Sequence, residues 1–368
     1  MSTTSRRTAD PIAFSKSLPR LVLGGAGFSN QTHPDPDSVP VASIVRQAFD
    51  QGLRAVDTAP FYEPSEKLLG QALADPEIAD RYVRSDYVLM TKVGRTGPAT
   101  YDYTPASVQE SVRRSLAFLK TDYLDVVFCH DIEAVTDEDV VAAVGVLLAL
   151  VDEGIVRFIG LSSYRLDLLT RRANLVRATY GRPVDVVQTW GHLTLQNTQL
   201  ETAPEGLAAL KAAGVAHVFS SSPLAIGLLR KEGVPLGRKG DFHPAPAGLR
   251  AAARDLADYM ESQGENLATL ALRYSLWRAH VASIDQKIGV STLTGIASLA
   301  DLTENVDALR KILLLPEGHL RDASINAEQL ERDKALFEKA RTILGEWVDW
   351  AFTCPEEGWD PVLKRVVK

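Results

Sequence analysis

A regular alternation of short apolar runs and longer amphipathic segments constrains the fold of this chain more than any other feature. The runs are four to seven residues long, nearly continuous in hydrophobicity and rich in β-branched side chains. Such runs are typical of strands that are buried on both faces of a parallel sheet. The predicted strands are Leu21–Gly24, Arg54–Asp57, Tyr87–Lys92, Tyr123–Cys129, Arg157–Leu161, Asp185–Gln188, Ala216–Ser220 and Val290–Gly295.

The segments between these runs carry the signals of helix ends. Gly52 and Gly154 each follow an amphipathic stretch, which is the usual place for a helix to stop. Pro105 lies in a first helical turn, where its missing N–H costs nothing. The predicted helices are Val41–Gln51, Ser65–Ala74, Ala106–Lys120, Asp137–Glu153, Arg165–Thr179, Thr202–Ala213 and Ser298–Leu313.

Strands and helices in this order predict an α/β fold, the (β/α)8 TIM barrel. Eight parallel strands joined by right-handed crossovers close most naturally into a ring. An open doubly wound sheet is the alternative, and it requires a Gly-rich phosphate loop that leads from the first strand into a helix. Gly24–Gly27 is rich in glycine, but residues 28–30 read as a loop. The barrel is therefore the predicted architecture.

Three parts of the chain are predicted around this barrel. Residues 1–18 are expected to form an N-terminal tail, with Met1–Asp10 disordered. Residues 19–315 form the barrel itself. Residues 316–368 form a C-terminal helical extension packed on the barrel, which contains a helix at Asn326–Ile343 and three tryptophans after it.

A long insertion separates the seventh and eighth predicted strands. Gly227–Gly248 is rich in Gly, Pro and basic residues, and two helical segments follow it, Leu249–Gln263 and Asn266–Arg278. Long irregular loops in barrels are usually functional or mobile. A lid over a cofactor is one hypothesis for Gly227–Gly248 that the sequence leaves open.

Composition limits the classes of partner and compartment. The net charge of −7, without a basic stripe, argues against binding to nucleic acid. No stretch is long and apolar enough to span a membrane, and no secretory signal is recognisable. The two cysteines, Cys129 and Cys354, build no disulfide framework, which favours the cytoplasm. The histidines lack metal-ligand spacing, so no metal site is predicted. The oligomeric state stays open.

Titratable residues end three successive predicted strands. Asp57 ends the second strand and Tyr62 lies in the loop after it, while Lys92 ends the third strand and His130 follows the fourth. In a barrel these ends face one mouth, where active sites are built. Each residue alone has an ordinary structural explanation, as a helix cap, a solvated charge or a packing residue. The four together predict a catalytic group.

These four side chains suit one type of reaction. A tyrosine with a pKa near about 10 is a poor base at neutral pH, and a nearby ammonium lowers that pKa. Lys92, paired with Asp57, is expected to have this effect on Tyr62. Tyr62 then exchanges a proton with a substrate oxygen while hydride moves at the adjacent carbon. His130, as a neutral imidazole donor, orients that oxygen.

The sequence resembles the aldo-keto reductase superfamily at these positions and at several flanking motifs. The motifs are Pro64–Gly70, Ser115-Leu116, Thr121–Asp125, Gly160–Ser163, Ser222–Leu224 and Glu304-Asn305. The resemblance implies a barrel oxidoreductase that uses a nicotinamide dinucleotide and a small-molecule substrate. Its catalytic tetrad falls on Asp57, Tyr62, Lys92 and His130.

A narrower resemblance links the chain to members that oxidise D-arabinose or L-galactose. It rests on Tyr101–Tyr103, Leu193–Thr198 and Phe242–Pro244. It implies oxidation of the anomeric carbon of an aldose to the lactone, with Tyr62 as the base. The sequence leaves the sugar epimer and the physiological direction open.

The same resemblance implies a set of cofactor-binding residues. Ser162, Ser163 and Gln188 correspond to the residues that hold the nicotinamide carboxamide, although the family usually has Asn where Ser163 stands. Ser221 replaces the tyrosine on which the nicotinamide usually stacks. The remaining implied cofactor residues are Ser222, Leu224, Gly295, Ser298, Glu304 and Asn305.

Ser298 distinguishes between the two nicotinamide dinucleotides. Many NADP-dependent members carry a basic residue at this position, which meets the 2′-phosphate. Without that cation the extra phosphate loses a charge-assisted partner, so NAD is predicted over NADP. Two alternatives remain: an NADP-linked aldehyde or ketone reductase on the same scaffold, and a non-catalytic nucleotide-binding regulatory subunit.

Overall fold

The computed structural model describes residues 9–234, 243–316, 320, 323–352, 359–360, 363 and 365–366. Fourteen strands lie within these ranges. In chain order they are β1 (Leu21–Gly24), β2 (Ala55–Asp57), β3 (Val88–Val93), β4 (Arg95–Gly97), β5 (Thr100–Tyr101), β6 (Leu124–Cys129), β7 (Val156–Ser163), β8 (Val186–Trp190), β9 (His217–Ser221), β10 (Gly289–Gly295), β11 (Leu313–Leu314), β12 (Ser324–Ile325), β13 (Trp359–Asp360) and β14 (Arg365–Val366).

Thirteen α-helices accompany these strands in the described residues. They are α1 (Pro11–Ser17), α2 (Val41–Asp50), α3 (Ser65–Leu73), α4 (Pro76–Ala79), α5 (Pro105–Leu119), α6 (Asp137–Glu153), α7 (Leu166–Tyr180), α8 (Gln199–Thr202), α9 (Leu207–Ala212), α10 (Ala247–Ser262), α11 (Leu267–Gln286), α12 (Leu299–Ile312) and α13 (Ala327–Leu344). None of the described helices is both long and apolar enough to cross a membrane.

Eight of the strands pair in parallel and close into a barrel in the order β1-β10-β9-β8-β7-β6-β3-β2. Gly24 at the end of β1 pairs with Gly295 on one side and with Asp57 on the other, which closes the ring. All eight predicted strands are present, and the predicted TIM barrel is confirmed. The doubly wound alternative is wrong because a closed ring has no open edge.

Apolar side chains fill the inside of the barrel. The cluster there consists mainly of Val, Met and Phe side chains from alternate strand positions, as expected for a packed barrel interior. Its members are Phe14, Leu18, Val22, Ala55, Met90, Val126, Phe128, Phe158, Val186, Phe219 and Leu293. Burial on both strand faces explains why the runs in the sequence are nearly continuous rather than alternating.

Two members of this interior cluster come from the predicted N-terminal tail. Helix α1 begins with Asp10 as its N-cap and packs Phe14 onto Phe158, with ring centroids 4.1 Å apart. Leu18 is buried beside them. Within the predicted tail, residues 11–18 thus form a helix and pack Phe14 and Leu18 into the barrel interior. The expected disorder of residues 1–8 lies outside the described residues.

The outer helices mostly begin and end where their signals predict. Thr136 and Asp139 form a capping box at the start of α6, and Gly154 ends that helix with a φ of 79°. The predicted helix Thr202–Ala213 is shorter in the structure, because α8 ends at Thr202 and α9 begins only at Leu207. Pro204 interrupts it because proline lacks the N–H that a continuous helix needs.

The insertion before β10 and the C-terminal extension form a second apolar cluster against the barrel. A buried ion pair joins them, because Arg273 on α11 binds Asp333 on α13 at 2.7 Å. Glu265 accepts a further bond of 2.8 Å from the same guanidinium. Residues 235–242 of the predicted lid, Phe242 of the Phe242–Pro244 motif, Cys354 and the side chain of Trp359 lie outside the described residues.

Candidate active site

The carboxyl ends of β2, β3 and β6 are neighbours at one mouth of the barrel. Asp57 on β2 pairs in register with Met90 on β3, and Lys92 on β3 pairs with Phe128 on β6. His130 follows β6 directly, and its backbone N–H donates to the Val93 carbonyl at 3.0 Å. The structure thus brings the predicted catalytic residues to the same end of the barrel.

Lys92 and Asp57 form a buried ion pair at the floor of this mouth. The ammonium donates to Asp57 Oδ2 at 2.6 Å and to the Thr58 carbonyl at 2.9 Å. Burial raises the pKa of Asp57, and the charge of Lys92 opposes that rise. The ion pair expected from the sequence is therefore present.

Tyr62 lies above this pair on a tight turn. Its carbonyl accepts from Ser65 N at 2.7 Å, at the start of α3. Lys92 Nζ is 5.0 Å from the centre of the phenol ring. Burial raises the pKa of Tyr62 far above its usual value, and the Asp57 carboxylate adds to that rise. The sequence predicts that Lys92 lowers this pKa, but burial first, and then the carboxylates of Asp57 and Asp131, raise it instead.

His130 faces the phenol edge to face. The two ring centroids are 5.8 Å apart at an interplanar angle of 84°. Burial and the nearby cations Lys92 and Arg95 hold the pKa of His130 well below its usual range. The imidazole is therefore neutral at ordinary pH, as predicted. Its Nδ1 has no hydrogen-bond partner among the described residues.

Three charged residues near His130 escaped the sequence analysis. Arg95 pairs with Asp131, which directly follows His130. Glu133 is buried nearby, and burial together with the Asp131 carboxylate raises its pKa to about 8. A signal was present in the sequence, since these residues flank two of the catalytic positions. The contact between Arg95 and Asp131 was not readable, because it depends on a hairpin formed by β4 and β5.

The predicted carboxamide residues lie next to the catalytic group, on β7 and β8. Gln188 Nε2 donates to Ser221 Oγ at 2.8 Å and lies 3.5 Å from Asp57 Oδ2, while its Oε1 has no partner among the described residues. Ser162 is buried on the adjacent strand β7. An orphaned amide oxygen beside the tetrad fits the N–H donors of a nicotinamide carboxamide.

The Ser163 hydroxyl already forms two hydrogen bonds within the protein. Its hydroxyl donates to Glu133 Oε2 at 2.6 Å and accepts from Arg165 N at 3.0 Å. A hydroxyl has one hydrogen to donate. Ser163 therefore offers a carboxamide only its remaining lone pair, whereas the Asn usual in this family also offers N–H donors.

Ser222 and Leu224 lie in the turn after β9. Ser222 has a φ of +59°, and its N–H donates to the Leu293 carbonyl at 3.1 Å. Ser221, just before it, is buried and bound to Gln188, so it presents a hydroxyl where the family usually has an aromatic ring.

The predicted adenosine segment runs from Gly295 into α12. Gly295 is exposed, and a Cβ built there meets nothing within 4 Å. Ser298 is the N-cap of α12, because its hydroxyl accepts from Asp301 N at 3.0 Å. Asp301 Oδ2 in turn accepts from Ala297 N at 3.0 Å. Glu304 and Asn305 lie on the first turns of the same helix, Glu304 exposed and Asn305 half-buried.

The remaining histidine, acidic and cysteine side chains were compared for a second site within the ranges that the structure describes. The described residues contain no group of three or more His, Cys, Asp or Glu side chains that could hold a metal ion. Cys129 is a buried free thiol, and burial raises its pKa to about 12. A thiol with so high a pKa is a poor nucleophile at neutral pH.

Comparison with known proteins agrees with this geometry. The D-arabinose 1-dehydrogenase of Saccharomyces cerevisiae is 34% identical over 308 residues, which cover 83% of this chain and 88% of the relative. The L-galactose dehydrogenase of Arabidopsis thaliana is 33% identical over 305 residues, with coverage of 82% and 85%. An aldo-keto reductase from Bacillus halodurans superposes with a TM-score of 0.57 at 21% identity, covering 88% of this chain and 95% of that one.

The family assignment rests on the sequence itself. The sequence model described as Aldo/keto reductase family matches residues 20–320, which span the whole barrel from β1 past α12. The two sugar dehydrogenases match over most of the same length. The chain is therefore a member of the aldo/keto reductase family of oxidoreductases.

Proposed function

We propose that this protein oxidises the anomeric carbon of an aldose, D-arabinose or a related sugar, to the lactone, with NAD as the hydride acceptor. One observation carries the proposal. The half-buried phenol of Tyr62 and the buried imidazole of His130 face each other across a barrel mouth whose floor is the Lys92–Asp57 pair. The names of the two sugar dehydrogenases support the choice of substrate class.

The proposed reaction breaks two bonds at the anomeric centre. The C1–H bond breaks with both of its electrons, and a nicotinamide held by Gln188 and Ser162 would supply the hydride acceptor. The C1 hydroxyl loses its proton to the Tyr62 phenolate, and the C1–O bond becomes a carbonyl. Oxidation of a cyclic hemiacetal in this way yields the lactone. His130, neutral because its pKa is held low, donates an N–H to the same oxygen.

During oxidation the negative charge of the Tyr62 phenolate needs a counter-charge. An ammonium has three N–H donors, and Lys92 uses one on Asp57 and one on the Thr58 carbonyl. The ammonium also lies 5.0 Å from the centroid of the Tyr62 ring, where its charge stabilises a phenolate. With its pKa raised, Tyr62 is a proton donor in the free protein, which suits the reverse reaction, carbonyl reduction. This observation supports reduction of aldehydes as the second candidate activity.

The preference for NAD rests on the start of α12. Ser298 brings no positive charge, and its hydroxyl already caps the helix. The Asp301 carboxylate beside it accepts from Ala297 N at 3.0 Å. Its negative charge would repel a 2′-phosphate, whereas a carboxylate can accept a hydrogen bond from the neutral 2′-hydroxyl of NAD. A cytoplasmic location belongs to the same proposal, supported by the free thiol of Cys129.

A spectrophotometric assay tests the proposal directly. The purified protein is incubated with NAD or NADP and with D-arabinose, L-galactose, L-fucose or D-glucose, and the absorbance of the reduced nicotinamide is followed. We expect rapid NADH formation with D-arabinose or L-galactose. Silence with every sugar, together with NADPH oxidation by simple aldehydes, would favour the second candidate. Comparable rates with both cofactors at equal, subsaturating concentrations would contradict the NAD preference.

A further inference from the structure

Arg95 lies between the two loops that carry Tyr62 and His130. It is the first residue of the β4–β5 hairpin and follows Lys92 by three positions. Its guanidinium stacks on the ring of Phe61, with its Cζ 3.9 Å from the ring centroid. It also forms an ion pair with the buried carboxylate of Asp131. Phe61 directly precedes Tyr62, and Asp131 directly follows His130.

The guanidinium is held in this position by its own hairpin. Nη2 donates to the Pro98 carbonyl at 2.9 Å, and Nε donates to the Gly97 carbonyl at 3.2 Å. With the bond to Asp131, three sides of the planar group are fixed, and its face remains for Phe61. Lysine offers no planar group that can stack and bind in this way.

The same hairpin region holds His130 through its backbone. Tyr103 donates its hydroxyl to the His130 carbonyl. Gly94 permits this approach, because a Cβ at that position would lie 2.1 Å from the Tyr103 ring, and its φ is +98°. Two residues of the segment that follows Lys92 therefore reach the site. Tyr103 contacts His130, and Arg95 contacts the loops that carry Tyr62 and His130.

We propose that Arg95 is a positioning residue, which fixes Tyr62 and His130 relative to each other through Phe61 and Asp131. The inference rests on the proposed function in one respect, namely that Tyr62 and His130 handle the reacting oxygen. Misplacement of such a pair by about 1 Å is enough to reduce turnover by about a hundredfold.

The charges around Tyr62 give this proposal a second readout. Arg95 lowers the pKa of Tyr62, whereas Asp131 and Asp57 raise it. The ionisable and charged groups that face the phenol are Asp57, Lys92, Arg95, His130 and Asp131. Loss of the Arg95 charge therefore moves the pKa of Tyr62 upward, and neutralisation of Asp131 moves it downward.

The experiment uses Arg95→Lys, Arg95→Met and the double variant Arg95→Met/Asp131→Asn. Reduction of 4-nitrobenzaldehyde by NADH reports on Tyr62 as the proton donor without depending on the sugar. Fluorescence titration measures the Kd for NADH. Arg273→Lys is the matched control, since Arg273 is also a buried arginine paired with an aspartate, Asp333, but lies on the outer helix α11.

For Arg95→Lys we expect a fall in kcat of about tenfold or more, with the Kd for NADH changed by less than about twofold. In Arg95→Met the pH of half-maximal turnover moves upward, and the double variant moves it back toward that of the wild type. Arg273→Lys keeps the kcat and pH profile of the wild type. Because Arg95→Lys retains the charge, it remains informative if Arg95→Met does not fold.

Two results would overturn the inference. One is an Arg95→Lys enzyme with the kcat of the wild type. The other is a fall in kcat that is equal in the Arg95 variants and in Arg273→Lys, with no change of the pH profile in any of them. That result would indicate a general loss of stability. Failure of the proposed function looks different, because the wild type would then reduce the aldehyde but oxidise no aldose.

Discussion

Lys92 and Asp57 form an ion pair of 2.6 Å between side chains that are only 1% and 2% exposed. They stand on the neighbouring barrel strands β3 and β2. Removing a charge from water costs free energy, and only the attraction of an opposite charge offsets that cost inside a protein. The catalytic mouth is therefore built on a pair that also affects the free energy of unfolding.

Replacement of Asp57 by Asn leaves the Lys92 ammonium buried without its counter-charge. We expect the free energy of unfolding to fall by about 3–5 kcal/mol, the usual cost of breaking a buried pair. Urea denaturation measures it. Asp167→Asn is the control, because the Arg165–Asp167 pair is about half exposed and should contribute at most about 1 kcal/mol. An equal fall in the free energy of unfolding in both variants would show that the buried Lys92–Asp57 pair stabilises the protein no more than an exposed pair.

Replacement of Tyr62 by Phe removes the proton-transfer group and keeps the ring that faces His130. We expect turnover to fall by about 10²–10⁴-fold, the usual contribution of a general acid or base. The affinity for NADH, measured by fluorescence titration, should stay nearly unchanged. Tyr180→Phe is the control, because its hydroxyl binds the Val141 carbonyl on the outer helices. Substantial residual turnover in Tyr62→Phe would mean that another group transfers the proton.

Replacement of Ser298 by Arg supplies the cation that a 2′-phosphate requires. We expect the ratio of kcat/KM for NADP to that for NAD to rise by about tenfold or more, because a charge-assisted bond to phosphate is gained. Ser298→Ala is the control, since it removes the same cap from α12 without adding charge, at a cost of about 1 kcal/mol in stability. A ratio that is unchanged in Ser298→Arg would place the 2′-hydroxyl away from this helix start.

The sequence was sufficient for the barrel because its strands are buried on both faces. Apolar runs such as Leu21–Gly24 and Leu124–Cys129 stand out against amphipathic helices. The order of elements then fixes which strand ends share a mouth, so Asp57, Lys92 and His130 could be placed together without coordinates.

Contacts between loops were beyond the sequence. Arg95 and Asp131 meet only because a hairpin bends Arg95 back across the mouth, and no periodicity encodes that bend. The hydrogen bond from Ser163 to Glu133 depends on side-chain geometry in the same way. Helix α1 is different, because Asp10 followed by Pro11 is a helix-start signal that was available in the sequence.

His192 gives a prediction about stability rather than turnover. It is 3% exposed, and its Nδ1 lies 2.6 Å from Thr189 Oγ1. Burial lowers its pKa to about 4, whereas an unfolded histidine titrates near about 6.5. Between these two pH values the unfolded chain binds a proton that the native protein does not bind. The contribution of His192 to stability is therefore present above about pH 6.5 and is lost as the pH falls toward 4.

This linkage fixes both the sign and the size of the effect. Stability should fall by about 1.4 kcal/mol per pH unit below pH 6.5 on account of His192, to a total of about 3 kcal/mol. His192→Asn keeps a polar side chain of similar reach but has no proton to gain. Urea denaturation at several pH values should therefore give a shallower acid slope for the variant than for the wild type. Other buried histidines, such as His217, contribute equally to both proteins and cancel in the comparison. Parallel slopes would mean that His192 is protonated in the native state as readily as in the unfolded chain, and that the imidazole finds a counter-charge or water in the folded protein.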